Sequence, residues 1–402
     1  MADRWAARAL EHVRHLSLDI GPRGSTTPAE TEAAAYAWGV LDRLELTPQM
    51  QRFKSAVSAW RPFALAATLS LLAVALYPLA GRVTAGLAGA IAAVALVSSF
   101  LELNFWPNPL RWLLPKRVSQ NVWAVLPASR AARSADLRPQ AAQRVVVVGH
   151  LDSHRTPFIF GSTTRLKLFG VLVGLGFASF AALTGLYLAG AVIQEDILYV
   201  ISLAPAFILV ILLVMSIQAD MTPYTHGAND NATGAAVVLA LAERLKDEPL
   251  ANTEVWALNS GCEEVGLYGA AAFVREYREK LADAYFIPLD SVGGPGTGPC
   301  FITREGMVKP HRSDPGLLAL CHEIAAQRPE LGAYPGVMRL GYTEGAIGVR
   351  NGLRTLTFVN LTPAGELPHW HRPTDVYENV DPDVLSRTGE FLWELLQRLD
   401  SR

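Results

Sequence analysis

Four long runs of residues without charged side chains constrain this chain more than any other feature. They cover residues 62–81, 83–101, 168–193 and 197–219. Each run is close to the roughly 20 residues that an α-helix needs to span a bilayer. Buried helices of a soluble protein can also be uncharged, but four runs of this length are rare in one soluble chain. The runs therefore predict four transmembrane α-helices, inserted as two hairpins at 56–117 and 161–221.

The orientation of these helices follows from the charges that flank them. An even number of crossings separates the three polar parts of the chain, so all three are expected on one side of the membrane. The flanks on that side carry eight basic residues: Arg52, Lys54, Arg61, Arg111, Lys116, Arg117, Arg165 and Lys167. The opposite loops carry only Arg82, Glu195 and Asp196. Since cytoplasmic flanks are enriched in Lys and Arg, we expect a multi-pass membrane protein whose polar domain is cytoplasmic.

Composition narrows the function further. The chain of 402 residues has a net charge of −2, which gives nucleic-acid binding no support. Its three cysteines form neither a CxxC motif nor a disulfide framework, as expected in a reducing compartment. The N-terminal segment is polar and helix-like, so we expect no secretory signal.

Outside the apolar runs, helical and strand-like patterns alternate. Strand patterns occur at 119–126, 144–149, 252–259, 284–290 and 354–360, and helical patterns at 3–16, 28–44, 232–246, 265–280, 315–327 and 383–399. Thr27, Pro28 and Glu30 are typical of an N-cap, a proline at N1 and an acidic first turn. The alternation predicts an α/β domain with a mostly parallel mixed sheet. It would comprise residues 1–55, 118–160 and 222–402.

Seven imidazole and carboxylate side chains stand in loops of this α/β sequence, most of them just after predicted strands. They are His150, Asp152, Asp230, Glu263, Glu264, Asp290 and His371. Open α/β sheets place their sites at such strand ends. Imidazoles and carboxylates without thiolates suit zinc or a similar divalent ion. Two histidines and three acids exceed the needs of one tetrahedral ion but suit two ions about 3.5–4 Å apart that share a carboxylate.

Some nearby residues have competing interpretations. His369 is a rival to His371, but the spacing to Asp375 favours His371. His154 and His226 belong to no motif, and we expect a surface role for each. Asn231-Ala-Thr matches a glycosylation acceptor, which we interpret as a chance match.

Together these residues resemble peptidase family M28, the zinc aminopeptidases. The resemblance is carried by Gly21-Pro-Arg-Gly, His150-x-Asp, Gly227-Ala-x-Asp-Asn-x-x-Gly, Gly261-x-Glu-Glu-x-Gly, Leu289-Asp and His371-x-x-x-Asp. It covers roughly residues 5–50, 119–155 and 225–400. It implies a three-layer zinc-exopeptidase-like domain that holds two Zn²⁺ ions.

The resemblance also implies a role for each site residue. Asp230 would bridge both ions, His150 and Asp290 would complete one, and Glu264 and His371 the other. Glu263 would be the general base on a metal-bridging water. Asp152 would orient His150. Glu344, in a segment where relatives often have Asp, would contact the substrate amine.

The implied function is that of a membrane-bound di-zinc exopeptidase, most simply an aminopeptidase acting on peptides at the lipid bilayer. Four alternatives remain open: a non-catalytic receptor or scaffold, transport through the helices, a glutaminyl-cyclase-like acyl transfer, and a carboxypeptidase. Uncharged helices argue against an ion path. The substrate preference and the oligomeric state are left open by the sequence.

Overall fold

A computed structural model describes residues 2–79, 81–130 and 143–402. Residues 1, 80 and 131–142 fall within the predicted segments 1–55, 62–81 and 118–160 and lie outside the described residues. The chain divides into two compact units. The first unit comprises the chain up to Ser55, Arg117–His154 and Tyr224–Arg402. The second unit comprises Ala56–Lys116 and Arg155–Pro223.

The first unit is built on one ten-stranded sheet. Its strands are β1 Gln49–Ala56, β2 Lys116–Leu126, β3 Gln143–His150, β4 Thr253–Ser260, β5 Tyr285–Asp290, β6 Cys300–Glu305, β7 His311–Arg312, β8 Tyr334–Met338, β9 Arg354–Thr355 and β10 Phe358–Val359. Among the described residues, the α-helices of this unit include Ala2–Arg14, Pro28–Arg43, Gly234–Asp247, Tyr268–Glu276, Pro315–Gln327, Gly345–Arg350 and Pro382–Asp400. The predicted mixed α/β fold is confirmed.

The centre of the sheet is parallel. The strand order is β1-β2-β4-β3-β5-β10-β6-β7, with β8 beside β6 and β9 beside β5. β3 runs parallel to both β4 and β5, while β2 pairs antiparallel with β4 and β6 pairs antiparallel with β10. His150 at the end of β3 lies opposite Ser260 of β4. The carboxyl ends of β3, β4 and β5 therefore meet at one edge of the sheet.

The core explains why β3 reads as an uninterrupted apolar run. Val145, Val146, Val147 and Val148 are all fully buried, as expected for a strand covered on both faces. The helix Gly234–Asp247 packs in the same core, with Ala235, Ala236 and Val238 fully buried. This helix follows directly on the loop that carries Asp230.

Two helices of this unit begin at a residue whose side chain caps the helix. Thr27 accepts a hydrogen bond from the backbone N of Glu30 at 3.3 Å, and Pro28 opens the helix. The predicted N-cap is confirmed. Asp314 caps Pro315–Gln327 in the same way, through the backbone N of Leu317 at 2.9 Å.

Several details differ from the sequence predictions. The predicted strand 354–360 is two short strands, β9 and β10, each parallel to β5. The predicted helix 265–280 is confined to Tyr268–Glu276. β1, β6, β7 and β8 were not predicted. β1 is largely polar, with alternating burial along Gln49–Ala56, so its sequence lacks the apolar run that marks a buried strand.

The second unit contains four apolar helices: Arg61–Leu76, Gly81–Leu103, Thr163–Ile193 and Asp196–Met221. The last three are long and apolar enough to cross a membrane. The first has 16 residues, or roughly 24 Å at 1.5 Å per residue, which is short of the roughly 30 Å hydrocarbon core. Its last residue is Leu76, and Pro78 has no backbone N–H with which to extend the helical hydrogen bonds. The crossing predicted for residues 62–81 therefore stays a prediction.

Aromatic rings and one buried ion pair stabilise the second unit. Tyr77 stacks on Tyr187 at 4.6 Å and on Tyr199 at 6.1 Å, measured between ring centroids. Arg111 donates through Nε to Oε2 of Glu102 at 2.7 Å, and both side chains are nearly buried. A buried pair of this kind fixes the loop that follows Gly81–Leu103, because separating the partners would leave a charge without compensation.

Glu305, at the end of β6, gives a pH-dependent prediction for the first unit. Burial raises its pKa from 4.5 to about 7, although the hydroxyl of Thr343 donates to its carboxylate at 2.6 Å. The folded chain thus holds this proton up to about pH 7, whereas the unfolded chain releases it near 4.5. Folding stability therefore falls as pH rises between these values, by about 3 kcal/mol for this group.

Glu305→Gln removes the titration but keeps the side-chain shape. Its melting temperature, relative to wild type in the same detergent, should rise steadily from pH 4.5 to 7 and level off above pH 7. A difference in melting temperature that does not change with pH would show that Glu305 does not retain its proton between pH 4.5 and 7 in the folded chain.

Candidate metal centre

Five of the predicted side chains gather at the carboxyl ends of the three central strands. His150 is the last residue of β3 and Asp290 the last of β5. Asp152 follows β3, and Glu263 and Glu264 follow β4. All except Glu264 are buried, with no more than 8% of each residue exposed. The sheet edge therefore concentrates four carboxylates around one imidazole.

Asp230 lies between two imidazoles. Its Oδ1 is 3.5 Å from Nε2 of His150, and its Oδ2 is 3.2 Å from Nε2 of His371. Burial opposes ionisation of Asp230, but the two imidazoles outweigh burial and hold its pKa below the usual range. Each carboxylate oxygen thus faces a different histidine, which is the placement that a bridging carboxylate requires.

The acids and imidazoles form two groups with metal-binding spacing. One consists of His150, Asp230 and Asp290, and the other of His154, Glu264 and His371. Within each group the potential ligand atoms lie within 4.8 Å of one another. His371 Nε2 is 3.3 Å from Oε2 of Glu264. The five predicted ligands fall into two groups joined by Asp230.

Asp152 holds the turn that carries both glutamates. Its Oδ1 accepts the backbone N–H of Glu263 at 3.0 Å, and its Oδ2 accepts that of Glu264 at 3.2 Å. Oδ2 also accepts the hydroxyl of Ser25 at 2.6 Å. The Nδ1 of His150 lies 3.0 Å from the backbone carbonyl of Asp152 and 3.5 Å from its carboxylate. Asp152 therefore connects His150 with the Glu263–Glu264 turn.

Asp375 holds the backbone of the Asp230 loop, as Asp152 holds the backbone of the Glu263–Glu264 turn. The sequence did not predict this role. Its carboxylate accepts the backbone N–H groups of Asn229 at 2.7 Å and Asp230 at 3.2 Å. Burial raises the pKa of Asp375 to about 7. In the sequence, Asp375 was notable only for its spacing from His371. The loop after the last short strands thus positions both His371 and the backbone of Asp230.

Asn231 ties the Asp230 loop to β5. Its Nδ2 donates to the carbonyl of Leu289 at 2.8 Å, and its Oδ1 accepts the backbone N–H groups of Gly234 and Ser291. The residue is fully buried. The glycosylation match at Asn231 is therefore a chance match, as expected.

Arg23, in the Gly21-Pro-Arg-Gly segment, is a second residue whose role sequence reasoning missed. The guanidinium is fully buried and donates to five backbone carbonyls at 2.7–2.9 Å. These belong to Leu16, Gly21, Leu151, His226 and Gly227. Burial lowers the pKa of Arg23 to about 10, against the charges of Asp375, Asp152 and Asp230. One side chain thus joins the N-terminal segment to the loops that carry Asp152 and Asp230.

Gly227 is required where Arg23 reaches the Asp230 loop. Its φ of +56° is left-handed backbone, and a Cβ there would lie 2.6 Å from the carbonyl oxygen of Asp230 and 3.1 Å from Nη2 of Arg23. A larger residue would displace the loop or the guanidinium.

Arg23→Lys is expected to destabilise the first unit by at least about 3 kcal/mol, because one ammonium cannot reach carbonyls on separate segments and unsatisfied buried groups cost about 1–3 kcal/mol each. The melting temperature should fall sharply. Arg4→Lys is the control, because Arg4 pairs with Asp247 on the surface. Equal melting temperatures for the two variants would contradict the role of Arg23.

The site contains more carboxyl groups than its histidines can neutralise. Burial raises the pKa of Glu263 and of Glu264 well above the usual value, and nearby carboxylates raise both further. Burial, with Asp230 next, raises the pKa of Asp290 to about 6. Burial opposes the charge of His150, but Glu263 and two aspartates raise its pKa well above 6.5. A divalent cation would relieve this repulsion.

Glu30 and Cys262 stabilise the turn that carries Glu263 and Glu264. Oε1 of Glu30 accepts the backbone N–H of Cys262 at 2.8 Å, and its Oε2 accepts the hydroxyl of Ser119 at 2.9 Å. Burial raises the pKa of Glu30 to about 8. Cys262 has a φ of +54°, so these hydrogen bonds fix an uncommon backbone conformation beside Glu263.

Glu344 is close to the site and is not an exposed loop acid. It is 1% exposed, and its carboxylate accepts a hydrogen bond from the hydroxyl of Ser260 at the end of β4. Burial raises its pKa to about 7, with His150 opposing that rise. Its contact with a substrate amine stays a prediction.

Three further histidines were considered in the sequence, and the structure gives them different environments. His369 lies outside both groups, and its Nδ1 is 2.8 Å from Oγ1 of Thr374. His226 is half-buried, with Nδ1 2.9 Å from the carbonyl of Ser17. The surface role predicted for His154 is wrong: the residue is 7% exposed and belongs to the second group. Its backbone carbonyl accepts the N–H of Thr225, a residue far along the chain, and no local sequence pattern indicates such a contact.

The residues fit a divalent metal. His150 Nε2 and Glu264 Oε1 are buried and make no hydrogen bond within the described part of the chain. Imidazole and carboxylate donors of this kind suit zinc. The donor set, its unused atoms and its excess of carboxyl groups over imidazoles all favour bound cations.

The chain is similar in sequence to known peptidases. The model of peptidase family M28 matches residues 212–396. The aminopeptidase YwaD of Bacillus subtilis (strain 168) is 39% identical over 61 residues, covering 15% of this chain and 13% of that protein. A vacuolar membrane protease of Vanderwaltozyma polyspora is 34% identical over 184 residues, covering 46% of this chain and 18% of that protein. The chain thus spans less than a fifth of the length of the curated relatives it matches.

Solved structures show the same fold at low sequence identity. A zinc aminopeptidase from Bacillus subtilis superposes with a TM-score of 0.59 at 15% identity, covering 98% of this chain and 94% of that one. A glutaminyl cyclase from Bacteroides thetaiotaomicron superposes with a TM-score of 0.57 at 13% identity, covering 98% and 97%. The resemblance to peptidase family M28 read from the sequence is therefore confirmed, and residues 212–396 form the part of the chain that matches this family.

Proposed function

We propose that this chain is a membrane-bound di-zinc metallopeptidase that releases N-terminal residues from peptides. The observation that carries the proposal is the position of Asp230, with one oxygen toward each of two imidazole–carboxylate groups. His150 and Asp290 would hold one ion. Glu264 and His371 would hold the other, and Asp230 would bind both.

Ions held there would polarise the peptide carbonyl and lower the pKa of a water molecule. Glu263 is the general base: its Oε2 lies 4.0 Å from Nε2 of His150, at the edge of the first group. It takes a proton from the attacking water as the new C–O bond forms. It then gives that proton to the leaving nitrogen as the C–N bond breaks. The products are a free amino acid and a peptide shortened by one residue.

Asp152 and Asp375 position the reacting groups. Asp152 fixes the backbone of Glu263, and Asp375 fixes the backbone of Asp230. Catalysis requires such groups to be held close to productive geometry. Glu344 already accepts a hydrogen bond from Ser260, so its contact with the substrate amine would form beside that bond.

The apolar helices would anchor the enzyme in a lipid bilayer. Three of them have the required length and composition, and the similarity to vacuolar membrane proteases supports a membrane location. The basic flanks favour a cytoplasmic peptidase domain. Protease protection of the C-terminal half in sealed inverted vesicles would contradict a cytoplasmic location of the peptidase domain.

A glutaminyl-cyclase-like acyl transfer is the second candidate, because glutaminyl cyclases superpose on this chain as well as aminopeptidases do. The two activities give different products. An aminopeptidase releases the first residue, whereas a cyclase converts an N-terminal glutamine into pyroglutamate and releases ammonia.

The test is to purify the full chain in detergent, measure bound metal, and assay aminoacyl p-nitroanilides beside a glutaminyl peptide. We expect two zinc ions per chain, release of nitroaniline, and no release from N-acetylated substrates. Ammonia release without nitroaniline would favour the cyclase. A folded chain that binds no metal would overturn the proposal.

A further inference from the structure

We propose that His154 is a fourth side-chain ligand of the second metal position, beside Glu264, His371 and the shared Asp230. This inference rests on the proposed metal centre and extends its ligand set. It assigns chemistry to a histidine that belongs to no sequence motif.

The backbone holds His154 at the site. Its carbonyl accepts the backbone N–H of Thr225 at 2.8 Å. The preceding residue, Ser153, accepts the backbone N–H of Arg23 and donates its hydroxyl to the carbonyl of Thr225. The position of His154 is therefore set by the same segments that carry Asp152 and Asp230, and not by a free loop.

The side chain of His154 lies against His371. The ring centroids are 3.6 Å apart and the planes are 17° from parallel. Potential ligand atoms of His154, Glu264 and His371 lie within 4.8 Å of one another. Both rings thus offer a nitrogen to the space that Glu264 faces, in a position with 7% of His154 exposed.

A fourth ligand would make the two positions unequal. The first position would have His150, Asp290 and the shared Asp230. The second would have Glu264, His371, His154 and the shared Asp230. Zinc sites with four protein ligands are closed, whereas sites with three keep a place for water or substrate. The second ion should therefore bind more tightly, and the first should be the exchangeable one.

Ring stacking alone is the rival explanation, and two substitutions separate the alternatives. His154→Phe keeps an aromatic ring against His371 but offers no donor atom. His154→Cys offers a thiolate donor but no ring. Exposed His322, on the helix Pro315–Gln327, supplies the control His322→Phe.

Zinc binding to the apo full-length chain is measured by competition with a chromophoric chelator, and the cobalt-substituted protein by absorption. We expect wild type and His322→Phe to bind two ions with different affinities. His154→Phe should weaken the tighter class at least about 100-fold, the upper end of what losing a supporting residue costs. His154→Cys should retain that class and add a sulfur-to-cobalt charge-transfer band.

Wild-type affinities in His154→Phe, or a cobalt-loaded His154→Cys without the charge-transfer band, would overturn the ligand role. Either result would leave the proposed peptidase intact if wild type still binds two ions. A wild-type chain that binds no zinc would overturn both.

Discussion

Glu263→Gln is expected to lower turnover by about 10²–10⁴-fold, the usual contribution of a positioned general base. Glutamine has nearly the same shape but cannot take the proton. The backbone hydrogen bond from Glu263 to Asp152 is unaffected by the change. Since Glu263 is not among the proposed ligands, KM for an aminoacyl p-nitroanilide and the zinc content should stay close to wild type. Steady-state kinetics and metal analysis of the same preparation measure both.

Glu305→Gln is the matched control for this substitution. It makes the same chemical change at another buried carboxyl of the first unit, one whose partner is Thr343. Its turnover should equal that of wild type. A Glu263→Gln variant that keeps full turnover, or that loses zinc, would show that Glu263 has a different role.

Asp230→Asn is expected to weaken both zinc positions together, each by about 100-fold or more. The amide removes the negative charge between His150 and His371 and turns a hydrogen-bond donor toward one of them. Metal retained after gel filtration with a weak chelator should fall from two ions to fewer than one.

Asp290→Asn provides the comparison, because Asp290 lies in the group of His150, whereas Asp230 also lies 3.2 Å from His371 of the other group. It should lose one ion and keep the other. If the two variants lost the same amount of metal, Asp230 would not be the shared ligand.

The sequence predicted the positions of the acids because strand ends can be read locally. The apolar run 144–149 stops at His150, and the run 284–290 ends in Asp290. Parallel neighbours bring such ends to one edge of a sheet. The mixed α/β fold follows from the same alternation. The roles of these residues as ligands came from the family resemblance, and the geometry is compatible with them.

What the sequence did not reveal depends on contacts between distant segments. Arg23 binds carbonyls as far away as His226 and Gly227, and Asp375 binds the backbone N–H of Asn229. No periodicity marks such partners. His154 belongs to no motif, and the hydrogen bond from the backbone N–H of Thr225 to its carbonyl joins residues far apart in the chain. The first apolar helix is shorter than the uncharged run because Pro78 lacks the backbone N–H that would continue the helical hydrogen bonds.

Anomalous scattering at the zinc edge, from crystals of the purified full chain, tests the central claim most directly. Two peaks are expected about 3.5–4 Å apart, one beside His150 and Asp290 and the other beside Glu264 and His371, with Asp230 between them. A single peak, or peaks away from Asp230, would contradict a two-ion centre built on this residue.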